Sequence, residues 1–368
     1  MEKKLSTARG SISKFQLFFL IIQSQVGIGL LSLPSDMYQS VDGDGWISTL
    51  IAGAAVQLLL LIYWALYKRF PNHNFSEMTI KLFGNIAGKA YNIFFGICCM
   101  VIAGLSSTLY TEMINIWLLP QTPKWALLVL IVATCLFLAL EDIKIISRFF
   151  VVSSFLFAIL ILMSLLNLKE DMHVTYLLPI AKSNFLDIVK GSHHTFLSMI
   201  GFEIVLFAFT YVKSDTRGLL KVISFANLFV TILYTYFVLI CLLSFSPNAL
   251  KQLQSPLLFM LKGLAFRLVE RLDLIFLSLW IVPMTTSIIA YLYIAGKSLS
   301  NNPRFYRKSV IVSSAVIFIA GYYLSTLEQL DQVSQWIQNS YFVVIGGVPA
   351  FMLLLSFLLK KVTKRCPS

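Results

Sequence analysis

Glu203 is the side chain in this sequence that most needs a chemical reason. It follows Gly201 and Phe202 in the middle of an apolar stretch, residues 192–212. An ionisable group at that depth in a membrane span is expensive and marks a functional interior by default. As a carboxylate it could attract a ligand's ammonium group or relay a proton. As a neutral acid it could donate a hydrogen bond across a helix bundle and act as a gate or a structural pin. Gly201 weakens the same helix, because glycine costs about 1 kcal/mol relative to alanine in a helix interior. A second weak point lies in Gln23 to Pro34, QSQVGIGLLSLP, inside the apolar stretch 15–38. Gly27 and Gly29 disfavour helix there, and Pro34 lacks the N–H a helix uses. Broken backbone survives in lipid only where it faces protein or a water-filled cavity. Two half-helix ends then offer free N–H and C=O groups to a small charged ligand.

These breaks define the candidate binding residues. A ligand carboxylate is expected to meet N–H groups around Val26, Gly27, Ile28 and Gly29. A ligand ammonium is expected to meet carbonyls near Leu197, Ser198 and Gly201. Gln25 and Ser24 offer side-chain hydrogen bonds to a ligand or between helices. Val101 and Leu105 are four residues apart and share a helix face that would set ligand size or simply pack. Pro283 frees a carbonyl in the stretch 271–296, and Thr285, Thr286 and Ser287 beside it either repair that helix or touch a ligand. Glu112 lies near the outer end of its span, at a vestibule or the interface. His193 and His194 are read as interfacial rather than metal-binding. No cofactor or metal site is expected. There is no nucleophile elbow, phosphate loop or paired-carboxylate hydrolase pattern, so no enzymatic activity is expected.

The elements that must position these groups follow from composition. The chain has 368 residues, 58% hydrophobic and 12% charged. Soluble domains carry about 25% charged and about 45–50% apolar residues. This is an all-α integral membrane protein, a single polytopic domain spanning 1–368 whose partner is the lipid bilayer. Ten transmembrane helices are predicted, at about 15–38, 46–67, 90–119, 125–140, 145–166, 192–212, 219–245, 271–296, 309–327 and 337–359. With both termini cytoplasmic, the inner segments hold 21 of the 29 Lys and Arg residues, as the positive-inside rule requires. The net charge of +12 therefore reports orientation, and no pattern of basic and aromatic residues suggests nucleic acid. The stretch 247–270 predicts one amphipathic helix at the outer interface, as an anchor or a lid. Cys98, Cys99, Cys135 and Cys241 read as small packing residues, and Cys366 sits in a basic tail. No cleaved signal is expected. Five spans per half give the halves opposite orientation. Repeat one covers about 12–168 and repeat two about 190–361. Interrupted helices 1 and 6 then occupy matching positions, the best sequence pointer to a transporter-type site.

VGIG…LP in span 1, GFE in span 6, ten spans and short basic termini resemble the amino acid–polyamine–organocation superfamily. The length and GIGLLSLP are more narrowly similar to the endospore germination permeases, the B subunits of GerA-type nutrient germinant receptors. The resemblance covers essentially the whole chain. It implies a LeuT-like 5+5 inverted-repeat fold, with spans 1, 2, 6 and 7 as a bundle against the others and an amino-acid-sized ligand between spans 1, 3, 6 and 8. In LeuT-like sodium carriers a span-8 hydroxyl pair joins span-1 carbonyls at an ion site, which makes Thr285 and Thr286 candidates for ligand or ion contact. The sequence has no acidic cage for a hard cation. The resemblance also implies A and C partner subunits in the spore inner membrane. The expected function is nutrient sensing by a transporter-like pocket that signals to those subunits. An amino acid permease working by alternating access, or a scaffold with a vestigial pocket, are the alternatives.

Overall fold

The computed structural model describes residues 11–71, 73–169, 172–212, 214–263, 271–300, 302–325 and 330–359. The basic clusters at both ends, Cys366, Lys213, Arg267 and the end of the expected outer helix lie outside the described residues. Helix α1 (Lys14–Gln25) starts at a capping box in which the Ser13 hydroxyl accepts the Gln16 N–H and the Gln16 side chain accepts the Ser13 N–H. Such a box satisfies two of the donors a helix start leaves unpaired. The chain leaves helix at Val26 and resumes in α2 (Gly29–Val41), so the break expected in span 1 is present. Pro34 stands inside α2. Helix α3 (Gly45–Arg69) follows, then α4 (Phe75–Phe83), a short helix between the expected spans 46–67 and 90–119. Asn74 and Glu77 form a second capping box at its start, a signature of two polar residues three apart.

The long α5 (Asn85–Trp117) is followed by α6 (Lys124–Ala139) and α7 (Ile143–Leu165). The second half opens with α8 (Phe185–Ser198), a non-helical turn at 199–203, and the short α9 (Ile204–Ala208). The break expected in span 6 is therefore also present. Next come α10 (Thr216–Ser244), α11 (Pro247–Gln252) and α12 (Pro256–Lys262). The last elements are α13 (Leu272–Leu279), α14 (Ile281–Leu299), α15 (Pro303–Leu324), α16 (Leu330–Phe342) and α17 (Val348–Leu358), the last two joined by a π-helical turn at Val343–Gly347.

Seven continuous helical stretches among the described residues are long and apolar enough to cross a membrane. The expected count is ten. The difference has a physical source: two expected crossings are interrupted at 26–28 and 199–203, and α6 has only 16 residues. The outward faces of α6 and α7 carry bare apolar side chains such as Phe137, Val152 and Phe155, which are 80%, 73% and 71% exposed. That pattern suits lipid contact rather than water.

Helix α1 packs against α7, α10 and α14, and α14 packs against α5. The broken helices are thus held between longer unbroken ones. Some polar side chains inside the bundle pair across helices. Asn227 of α10 donates to the Gly53 carbonyl at 3.0 Å and the Gln57 side chain at 3.2 Å on α3. The π turn is fixed by Tyr63 of α3, whose hydroxyl donates to the Ile345 carbonyl at 2.6 Å.

The expected outer amphipathic helix differs from the structure. It is two helices, α11 and α12, broken at residues 253–255, with Leu250, Leu257, Leu258 and Leu261 buried against the protein. Pro256 at the start of α12 permits the break, because proline is tolerated in a helix's first turn and not in its interior. Another connection, the one before α8, is clamped by Asp44. Its carboxylate, 2% exposed, accepts the N–H groups of Ala181 at 2.7 Å and Ser183 at 2.9 Å. Replacing Asp44 by Ala should leave two backbone donors unpaired. Amide exchange over residues 174–183 should then rise by about tenfold or more, with the helices protected as before. Unchanged exchange would show that the clamp carries no stability.

Candidate functional site

Both breaks face one cavity of about 810 Å³. Its lining includes Gln25, Gly27, Ile28 and Gly29 from the first break and Leu197, Ser198 and Ile200 from the second. Helix α5 contributes Ile102, Leu105, Ser106, Leu109, Glu112 and Met113, and α14 contributes Ser287 and Tyr291. Residues 251–255 and Phe259 form the wall at the mouth. The size is within the range of small-molecule pockets, roughly 300–1,000 Å³.

The first break keeps its last helical bond, from the Val26 N–H to the Ile22 carbonyl at 3.0 Å. Val26 is buried and does not line the cavity. Gly29 starts α2, and the N–H groups of Leu30 and Leu31 in its first turn meet the Gly27 and Ile28 carbonyls at 3.5 and 3.0 Å. A Cβ at Gly27 would meet nothing nearer than the Ser287 hydroxyl at 3.8 Å, so Gly27 opens directly on the cavity. Gly29 is closer to its neighbours, with the Ser198 Oγ 2.9 Å from the Cβ position.

The second break is shaped by Gly201 and Glu203. Gly201 has φ +119°, a conformation side chains rarely adopt, and a Cβ there would collide with the Ser24 carbonyl. Gly201 therefore serves the contact between the two breaks and does not line the cavity. Its N–H donates to Glu203 Oε2 at 2.8 Å. The other carboxylate oxygen accepts the Tyr341 hydroxyl of α16 at 2.6 Å. Glu203 is fully buried and lies outside the cavity lining. Its place is that of a pin between the broken helix and α16.

Two further side chains tie the breaks to each other. Gln25 Nε2 donates to the Met199 carbonyl at 3.2 Å. The Tyr234 hydroxyl of α10 lies 3.0 Å from the Gln25 carbonyl and 2.9 Å from the Ser198 carbonyl. Its single proton serves one of them at a time. Gln25 Oε1 is buried without a partner among the described residues, and Gln25 and Tyr291 both line the cavity.

In α14 the hydroxyls grip the first break. Thr286 Oγ1 is 3.2 Å from the Gln23 carbonyl and 3.0 Å from Gln23 Oε1, and the Ser287 hydroxyl donates to the Ser24 carbonyl at 3.2 Å. Thr286 is also within 3.0 Å of the Val282 and Pro283 carbonyls, and Thr285 bonds the Ile281 and Val282 carbonyls. Pro283 is the third residue of α14, next to the bend at Trp280. The hydroxyls thus bond carbonyls within the first turn of α14. Thr285 and Thr286 do not line the cavity, whereas Ser287 does. Pro34 is buried in α2, away from the lining.

On α5 the cavity face differs from the expected one. Leu105 lines it and Val101 does not; Ile102 takes that place. The lining positions 102, 105, 106, 109, 112 and 113 follow helical spacing, with 101 just past the edge of that arc. Glu112 lines the mouth and pairs with Lys124 at 2.9 Å. His194 also lines the cavity, while His193 Nε2 meets Asn339 Oδ1 at 2.6 Å. Among the described residues no group of His, Cys, Asp and Glu could hold a metal ion. The sequence reading missed Tyr234, Tyr291 and Tyr341. Their signal was available, since a buried tyrosine hydroxyl in an apolar span needs a partner.

Removing the Tyr341 hydroxyl should strand one oxygen of Glu203. Tyr341→Phe is expected to cost about 1–3 kcal/mol of unfolding stability in detergent. Glu203→Gln with Tyr341→Phe should cost less than the sum of the single changes, because the two share one bond. Additive losses would show that the pair is not a unit.

The family described as "Spore germination protein" matches residues 11–333. The chain is 26% identical over 337 residues to spore germination protein GerQB of Bacillus cereus, covering 91% of this chain and 92% of that protein. In architecture it is similar to a Na+-coupled sialic acid symporter in a substrate-bound outward-open state, with TM-score 0.66 and 12% identity, over 96% of this chain and 79% of that one. It is also similar to MhsT in complex with L-phenylalanine, with TM-score 0.65 and 13% identity, over 95% and 89% of the two chains. These likenesses show a LeuT-like fold. A family match running through most of the chain, on a multi-pass helical body with both expected breaks, makes this protein a member of the spore germination permease family.

Proposed function

We propose that the chain is the B subunit of a nutrient germinant receptor, binding a small nutrient, in the first instance an amino acid, in the cavity between the two helix breaks. The observation that carries this reading is the cavity itself. Two interrupted helices converge on it, with the start of α2 at its lining, the arrangement that suits a small zwitterion. The protein acts by binding and not by catalysis. Ligand occupancy stabilises one arrangement of α1, α2, α8 and α9 over another, and A and C subunits read that shift. The proposed setting is the spore inner membrane, with both termini cytoplasmic and the α11–α12 side outward. The two halves, about 12–168 and 190–361, act as inverted repeats around the site.

A permease working by alternating access is the second reading, favoured by the transporter fold. Uptake separates the two. Vesicles carrying the complete receptor should bind nutrient without sustained counterflow if the chain senses, and show counterflow if it transports. A scaffold with a vestigial pocket would bind no nutrient at all.

Gly27→Leu tests the site directly. Space at Gly27 accepts a Cβ without a clash, and membrane levels are expected to stay normal by immunoblot. The added side chain would fill the cavity floor, and the half-maximal nutrient concentration for germination should rise by at least about tenfold. Normal nutrient response at normal protein level would remove the ligand from this cavity.

A further inference from the structure

We infer that the side-chain amide of Gln23 takes the place of a bound cation at the junction of α1, α7 and α14, so that this junction needs no sodium. A half-helix that ends inside a transporter bundle carries free carbonyls and a partial negative charge, and such ends coordinate Na+ in many transporters. Helix α1 ends in this way, packed against α7 and α14. Its last helical bond runs from the Val26 N–H to the Ile22 carbonyl, so the Gln23 and Ser24 carbonyls turn to donors outside the helix. Ser287 donates to the Ser24 carbonyl at 3.2 Å, and the Thr286 hydroxyl lies 3.2 Å from the Gln23 carbonyl. The resemblance given above places an ion among such carbonyls and hydroxyls, and one structure of similar architecture is that of a Na+-coupled symporter.

The residues present do not fit sodium. An alkali cation is held by oxygen atoms turned to one centre. Here the buried side chain of Gln23, the residue being 1% exposed, lies against those oxygens. Its Oε1 is 3.0 Å from Thr286 Oγ1. Its Nε2 donates to Ser154 Oγ at 3.1 Å and is 3.4 Å from Ser153 Oγ, both on α7. Whichever way the amide is turned, one end is an NH2 group, which donates and does not ligate a cation. The amide is thus an acceptor towards α14 and a donor towards α7. A cation would draw oxygens from both helices to the end of α1 by its charge. The amide draws them by carrying both polarities on one rigid plane. An ion can leave with its gradient, whereas Gln23 is part of α1 and stays. The position of the first break is therefore independent of the ions around the protein.

The test uses the full-length chain in detergent and reads the thermal unfolding midpoint, which needs no nutrient. NaCl replaces choline chloride at constant ionic strength, up to about 200 mM. The wild type should keep its midpoint within about 1 °C across the series. Gln23→Ala removes the amide and uncovers the oxygens. Its midpoint in choline chloride should fall by about 3 °C or more. NaCl should then restore at least about half of the fall, because an ion that binds only the folded state stabilises it. A wild type that gains stability from sodium would overturn the inference, as would an unchanged midpoint in Gln23→Ala. A fall that sodium does not restore would mark Gln23 as an ordinary tie between helices, and would also overturn it. If Gln23→Ala does not accumulate, Gln23→Glu decides. It keeps the shape, replaces the NH2 group with an oxygen and should gain stability with NaCl; a flat response defeats the inference. No nutrient enters the assay, so these outcomes stand apart from the Gly27→Leu test of the proposed function.

Discussion

A carboxylate buried in the membrane bundle is the constraint on which the architecture depends. Among the described residues Glu203 has no salt-bridge partner; it is held by the Gly201 N–H and the Tyr341 hydroxyl. A charge or strong dipole in that setting is stable only while its donors stay in place. The bond to Gly201 fixes the turn that ends α8. The bond to Tyr341 fixes that turn against α16, just before the π-helical turn that Tyr63 holds from α3. One side chain thus links the second break, the last crossing and the bundle. A helix that would otherwise reclose is kept open by bonds its own backbone does not supply.

The same logic explains how the two breaks become one site. Gly201 lets the second break lie against the Ser24 carbonyl of the first. Gln25 and Tyr234 then cross-link them with their polar ends. Thr286 and Ser287 secure the end of α1 from α14. Gln25, a residue that lines the cavity, keeps one polar atom, Oε1, without a protein partner among the described residues. Rigid surroundings and a few unused polar groups are what a selective pocket requires. A ligand that touches both breaks would favour the arrangement in which the breaks are closest, which gives binding a mechanical consequence.

The breaks were legible in the sequence because glycine, proline and an acidic residue violate the rules of an apolar helix at named positions. Gly27, Gly29, Gly201 and Glu203 all sit where the chain departs from helix or beside that point. The partners of those residues were less legible. Tyr234 and Tyr341 look like ordinary aromatics in α10 and α16, and only the tertiary packing shows that their hydroxyls reach the breaks. Spacing placed Leu105 on a shared face with Val101, but the rotation of α5 brings Ile102 to the cavity instead. Periodicity finds that a helix has faces, and packing decides which one is turned inward. The α11–α12 wall was hidden for a related reason. Its apolar residues suit a lipid interface as well as a protein surface, and burial of Leu250 and Leu257 resolves the choice.

The central claim is that the nutrient occupies the cavity where the two helices break, entering from the α11–α12 side. Thiol protection tests it most directly. Vesicles carrying the complete receptor with Gly27→Cys, oriented with that side outward, are treated with a membrane-impermeant maleimide. The account predicts labelling above the wild-type background, slowed by a germination-triggering amino acid over the concentration range that triggers germination. A Gly27→Cys thiol that stays unlabelled, or that labels at the same rate under saturating nutrient, would contradict it.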